Sequence, residues 1–103
     1  MSPICFQILL ALAGHDRHGV AIMNEVLERT DGAMKLWPAM LYRNLQKLAA
    51  DGLIVEVAAP SPHAGSPRYF RLTPAGRREC AAEARRLAGF VDAARDKRLL
   101  KRH

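Results

Sequence analysis

The sequence predicts a mainly α fold with a small two-stranded β wing and a long C-terminal helix. Three observations carry that prediction. Apolar residues recur at three- and four-residue steps in four separate stretches, which is how helix faces turned toward a core are written. Between the third and fourth stretches, LIVEV (53–57) and RYFRL (68–72) alternate and are rich in β-branched and aromatic residues, as strands should be. With 103 residues, 50% hydrophobic and 25% charged, the chain suffices for one soluble domain with a modest core.

Ser2-Pro3 opens the first helix, with a hydroxyl to cap free N–H groups and a proline at the first helical position. ICFQILLALAG then runs to Gly14 with Gln7 almost its only polar residue. Ile4, Cys5, Ile8, Leu9 and Leu12 form one stripe, and Phe6, Leu10 and Ala13 lie on another. A helix apolar all round must be buried all round. One side can pack on the head; the other needs the C-terminal helix or a second subunit. HDRHG is a polar connection. GVAIMNEVLERT is the second helix, with Ile22, Met23, Val26 and Leu27 inward and Asn24, Glu25, Glu28 and Arg29 toward water. Asp31-Gly32 ends it.

The third helix lies within KLWPAMLYRNLQKLAADGLI (35–54). Pro38 opens it, and Gly52 closes it with the left-handed conformation of a C-terminal cap. Leu41, Leu45 and Leu48 face inward. Arg43, Gln46, Lys47 and Ala50 point away, joined at the first turn by Ala39 and Met40, with Tyr42 on the flank. This outer face holds cations, an amide, a thioether and small residues, and no carboxylate; the helix's one acid, Asp51, sits at its far end. Lys35 lies just ahead of it.

The strand loop, 58–67, is rich in Pro, Ser, His and Gly and reads as a stiff wing whose tip carries Ser61, His63, Ser66 and Arg68. Phe70 and Leu72 face the core. Thr73 and Pro74 start the last helix, which is expected to continue to about Leu100, about 40 Å at ~1.5 Å per residue. Cys80, Ala84, Leu87, Val91 and Ala94 make a heptad seam along it. The helix is too long to be covered by its own head, so the seam is expected to pack on the same helix, or on the first helix with its Phe6 and Leu10, of a second copy. An intramolecular lid on the first helix is the alternative, and it leaves Phe90 and Leu99 unexplained. The tail KRLLKRH is basic and expected to fray. The resulting division is 1–73 and 74–103, joined as one continuous unit.

Helix, turn, outward basic helix and hairpin is the order of a winged helix-turn-helix, whose second helix enters the major groove of DNA. Charge agrees: 16 Lys and Arg against 10 Asp and Glu give +6, which favours a polyanionic partner. Arg43 is the candidate for base readout, because a guanidinium can bridge the O6 and N7 acceptors of guanine. Lys35, Tyr42, Lys47 and Arg68 are candidate phosphate contacts, and Ala39, Met40, Gln46 and His63 complete the predicted surface. A protein-docking module without a DNA role is the rival reading. It has no need of an outer helix face free of acid.

Other functions have little support. No Ser/His/Asp or Cys/His set sits on converging elements, and no glycine-rich phosphate loop is present, so no enzyme is expected. His15 and His18 have an H-x-x-H spacing but no evident third ligand; neither a metal nor a cofactor is expected. Cys5 and Cys80 fall on apolar stripes and read as buried inert thiols rather than a redox switch. Two cysteines make no secreted disulfide framework, and there is neither a membrane-length apolar run nor a leader pattern, so the cytoplasm is the expected compartment.

ILLALAG, HGVAIMNEV, LYRNLQKLAADGLI and RYFRLTPAGR, in that order and spacing, resemble the PadR family of bacterial transcriptional regulators over most of the chain. The resemblance implies a homodimeric winged-helix repressor on a near-palindromic double-stranded operator. It places Tyr42 at the family's recognition-helix tyrosine, a phosphate contact. Ala39-Met40 stand where the family has Gly-Thr or a similar pair, the wing is richer in proline than usual, and Trp37 has no counterpart in the pattern. Some members bind flat aromatic effectors at the dimer interface. Here Phe90 is the one aromatic residue of the last helix, with no second ring to stack beside it.

Overall fold

The computed structural model describes residues 1–101, so the last two residues of the KRLLKRH tail lie outside the described residues. The elements run α1 (Pro3–Leu12), β1 (Arg17–His18), α2 (Gly19–Arg29), α3 (Pro38–Ala50), β2 (Ile54–Val57), β3 (Tyr69–Leu72) and α4 (Pro74–Asp96). α1 is central, touching α2, α3, α4 and β3. Ile8 and Leu9 of α1, Ile22 and Val26 of α2, and Leu41 and Leu45 of α3 are fully buried. Each such side chain contributes about 1.5–3 kcal/mol by leaving water.

The helix starts follow local chemistry. Ser2 Oγ accepts the Cys5 N–H at 3.1 Å, Thr73 Oγ1 accepts the Gly76 N–H at 3.0 Å, and a proline follows each cap. α2 is capped from within the polar HDRHG segment: His18 Nδ1 accepts the Ala21 N–H at 3.2 Å. The ends of α2, α3 and α4 share one geometry. Asp31, Gly52 and Arg98 take positive φ of 52°, 76° and 62°. The next N–H in each case reaches five residues back, Gly32 to Leu27, Leu53 to Leu48 and Leu99 to Ala94, at 2.8–3.0 Å. This is a Schellman turn, which satisfies carbonyls the helix leaves open.

The third of these turns corrects the expected length of the last helix. α4 stops at Asp96 after 23 residues, not near Leu100; at the usual rise it is about 34 Å long rather than 40 Å. The wing is corrected as well. The sheet has three strands in the order β1-β3-β2, because Arg17 and His18 pair antiparallel with Phe70 and Tyr69. Two residues are too few to display a strand's alternation. On the other edge, β2 pairs with β3 from Ile54 opposite Leu72 to Val57 opposite Tyr69.

α4 belongs to the head for only part of its length. Its buried residues are Gly76, Cys80 and Glu83, and beyond Glu83 it projects, drawing the molecule out to 54 × 28 × 23 Å. On α1, Cys5, Ile8, Leu9, Ala11 and Leu12 are buried while Ile4, Phe6, Leu10 and Ala13 are only partly covered. α4 therefore shields one flank of α1 without closing it.

Candidate nucleic-acid interface

α3 presents its outer face as its periodicity requires. With Leu41, Leu45 and Leu48 buried, Ala39, Tyr42, Arg43, Gln46 and Lys47 are exposed. Among the described residues, neither Arg43 nor Lys47 is paired with an acid. Met40 departs from the expected outward position. It is half-buried and packs on the core, because a long unbranched side chain beside Leu41 gains more by folding back onto apolar neighbours than by standing in water. One turn on, Asn44 Nδ2 donates to the Met40 carbonyl at 2.8 Å, and its Oδ1 accepts the Cys5 thiol at 3.5 Å, tying α3 to α1.

Tyr42 is seated by a residue the sequence did not single out. Gly19 is buried at the start of α2, where a β-carbon would stand 2.6 Å from the Tyr42 hydroxyl and 3.2 Å from Leu41 Cδ2. Glycine here lets the phenol ring lie across the first turn of α2.

Facing α3 across a groove of about 540 Å³ is the base of the hairpin. Tyr42, Arg43 and Gln46 line one wall; Glu56, Arg68 and Phe70 line the other. Arg68 is thus at the base of the wing, not its tip. Its Nη2 donates to Glu56 Oε1 at 2.8 Å, and its guanidinium carbon lies 6.0 Å from the Tyr42 ring centroid and 5.4 Å from that of Phe70. The hydrogen bond from Arg68 holds the Glu56 carboxyl below its usual range. His63 does not line the groove. It sits in the exposed loop, where its N–H donates to Ser66 Oγ at 2.7 Å and its carbonyl accepts the Ser66 N–H at 3.0 Å. Lys35, ahead of α3, has its amine 4.4 Å from the centroid of the exposed Trp37 ring.

The hairpin is braced against β1. Arg71 donates to both oxygens of Asp16 at 3.0 and 2.8 Å, holding that carboxyl below its usual range. His18 meets the Tyr69 ring edge-on at 5.3 Å. Arg17 donates to the α1 carbonyl of Ala11 at 2.8 Å and pairs with Glu25 of α2 at 2.6 Å. The strand edge that anchors the wing is in this way fixed to the helix that backs α3.

The residues expected at a dimer contact differ in how far the protomer covers them. Phe6, Leu10, Leu87 and Ala94 are half-buried, while Ala84 and Val91 are exposed. Cys80 instead belongs to the protomer's own core, and burial pushes its thiol above the usual range. Phe90, at 60% exposure, lies on the uncovered part of α4. Glu83, an acid on the covered part, is buried beside its hydrogen-bond partner Arg86 at 2.9 Å. Cys5 and Cys80 are both free thiols. Among the described residues no His, Cys, Asp and Glu cluster is arranged to hold a metal, and no helix is long and apolar enough to cross a membrane.

The sequence profile of the transcriptional regulator PadR-like family matches residues 8–82. A PadR family transcription regulator from Clostridium difficile has the same fold, with a TM-score of 0.78 at 20% identity over 92% of this chain and 97% of its own. Bacillus subtilis PadR, solved in complex with operator DNA, superposes with a TM-score of 0.71 at 19% identity over 81% of this chain and 48% of its own. F93 from STIV, a winged-helix DNA-binding protein, gives 0.70 at 22% identity over 84% and 89%. No curated relative matches the chain at the level of sequence.

Proposed function

The chain belongs to the PadR-like family of transcriptional regulators, and from that premise we propose that it is a sequence-specific DNA-binding repressor acting as a homodimer in the cytoplasm. One observation carries the reading: the outer face of α3 is exposed, free of acid, and presents two cations, Arg43 and Lys47, that have no acid partner among the described residues. A solvated face kept only for solubility has no reason to exclude carboxylates. A helix laid between two rows of phosphates does.

In this reading α3 enters the major groove. Arg43 reads a guanine through its O6 and N7, with Gln46 and Ala39 beside it against base edges. Lys47, Lys35 and the Tyr42 hydroxyl hold phosphates and fix register without reading sequence. Arg68 approaches the backbone from the base of the wing, with His63 further out along the loop. Met40, turned to the core, supports the helix from behind.

The uncovered half of α4, with Phe90, Val91 and Ala84, and the partly covered Phe6 and Leu10 of α1 form the contact with a second copy. Residues 1–73 then act as the reading head and the rest of the chain mainly as its coupling. A two-fold dimer sets two α3 helices about 34–36 Å apart and so selects a near-palindromic operator. A small aromatic effector, if one acts, would bind between the α4 helices and alter that spacing.

The test is a fluorescence-anisotropy titration against the gene's own upstream DNA and a scrambled duplex at several salt concentrations. The expected result is a preference of about 10³-fold or more for the former. Equal, steeply salt-dependent binding to both would mean a nonspecific binder. Binding to neither at low salt would overturn the reading in favour of a protein-docking module.

A further inference from the structure

Among the described residues, Glu56 is the one acid lining the α3–hairpin groove, where the other ionic groups are Arg43 and Arg68. Its presence runs against the charge logic of the rest of that surface. It stands on β2 opposite Phe70, on the strand face that also carries the buried Ile54, yet it is itself exposed. Nothing in the core requires it. What it does touch is Arg68, at 2.8 Å. With the carboxylate in front of it and the Tyr42 and Phe70 rings at 6.0 and 5.4 Å, the guanidinium lies across the groove instead of extending from it.

We propose that Glu56 is an electrostatic latch: it holds Arg68 folded into the groove, the wing's cation reaches a phosphate only by leaving it, and Glu56 thereby weakens binding to non-matching DNA. The inference rests on the DNA-binding reading given above. An exposed ion pair is weak in water and is exchanged readily, so a phosphate held at the right place by the α3 contacts can displace the carboxylate. A phosphate that only drifts past finds a neutral pair. Two elements with opposite preferences, free cations on α3 and a neutralised one on the wing, make the wing's contribution conditional on α3 being seated. Selectivity from a repulsive element of this kind is a difference between partners, not added affinity for one.

The experiment measures wild type, Glu56→Gln, Arg68→Gln and the double variant on the preferred and scrambled duplexes across a salt series, with thermal melts to establish that each is folded. Removing the carboxylate frees one cation, so Glu56→Gln should bind scrambled DNA more tightly and steepen its log–log salt dependence by about 0.9. The gain over wild type should grow roughly threefold to fourfold between ~200 and ~50 mM salt. Affinity for the preferred duplex should rise less, so selectivity falls. In the Arg68→Gln background the substitution should have much less effect on scrambled DNA, because the latched cation is gone. Unchanged affinity and slope in Glu56→Gln would overturn the proposal. Weaker binding on both duplexes would also overturn it and make Glu56 a positioning residue for Arg68. Failure of the wild type to bind any duplex would remove the DNA-binding reading itself, and the latch with it.

Discussion

Replacing Gly76 by alanine tests how α4 is joined to the rest of the domain. A β-carbon at this position would stand 1.9 Å from the Leu53 carbonyl oxygen, 2.9 Å from its carbonyl carbon and 2.8 Å from Leu72 Cδ1. Ordinary carbon–oxygen contacts begin near ~3.3 Å, so one backbone must retreat by more than an ångström. The Leu53 carbonyl is not free to do so: it accepts the Thr73 N–H at 3.1 Å. Thr73 in turn donates its hydroxyl to the Gly52 carbonyl at 2.7 Å while capping α4. Overpacking against mobile side chains costs about 1–3 kcal/mol, and a backbone-on-backbone clash belongs at or above that upper end, at roughly 3–4 kcal/mol. For a domain of this size each kcal/mol moves Tm by about 4–8 °C, so a fall of roughly 12–30 °C is expected. Gly89→Ala is the control in the same helix. Nothing lies within 4 Å of its added carbon, and alanine should gain about 0.5–1 kcal/mol in an exposed helix interior. Circular-dichroism melts at equal protein concentration read both. A Gly76→Ala protein melting within about 3 °C of wild type, under 1 kcal/mol, would refute the seating of α4 on Leu53.

Gly19→Ala perturbs the far end of the movable Tyr42 side chain, 2.6 Å away, so stability should change by under ~1 kcal/mol. DNA affinity should fall about as much as in Tyr42→Ala, and anisotropy titrations of both variants against wild type check it. Arg43→Ala should cost on the order of 1–3 kcal/mol on the operator and relax preference at one base pair per half-site. Lys47→Ala should weaken all duplexes alike with a shallower salt slope; equal losses for Arg43→Ala on operator and random DNA would remove its reading role. The sign for acid follows from Asp16, whose folded pKa lies below its unfolded value. Its pair with Arg71 contributes stability above the usual carboxylate range, near pH ~4, and loses it as pH falls further through the folded value. Denaturant melts of Asp16→Asn should therefore show a smaller stability loss below that pH than wild type, with a difference that vanishes once both pKa values are passed.

The parts of this fold that were legible in the sequence are those with local causes. Serine or threonine followed by proline starts a helix wherever it precedes an apolar period, and Ser2, Thr73 and Pro74 act that way here. Leu41, Leu45 and Leu48 fix which way α3 faces because 3.6 residues per turn leaves no other choice. What stayed hidden depends on contacts between distant segments. β1 is two residues long and exists only because β3 offers an edge to Arg17 and His18. The stop of α4 at Asp96 is set by Arg98 in a left-handed conformation that arginine rarely adopts, so the residue type carried no signal. The turn of Met40 toward the core needed the position of its neighbours to be known.

The interface shows the same division with a functional consequence. Arg43, Gln46 and Lys47 could be placed on one exposed face from spacing alone, since a helix orients its own side chains. Arg68 could be recognised as a cation near the wing, but whether that cation is available is decided by Glu56, twelve residues earlier on the neighbouring strand. In sequence Glu56 is one polar residue in LIVEV, and nothing in that stretch links it to Arg68. Hairpin register brings it into the groove that α3 lines. Charge counted along a chain thus overstates the cations a surface can offer to phosphate. The relevant quantity is charge left unpaired after folding, and on this surface it resides on α3 rather than on the wing.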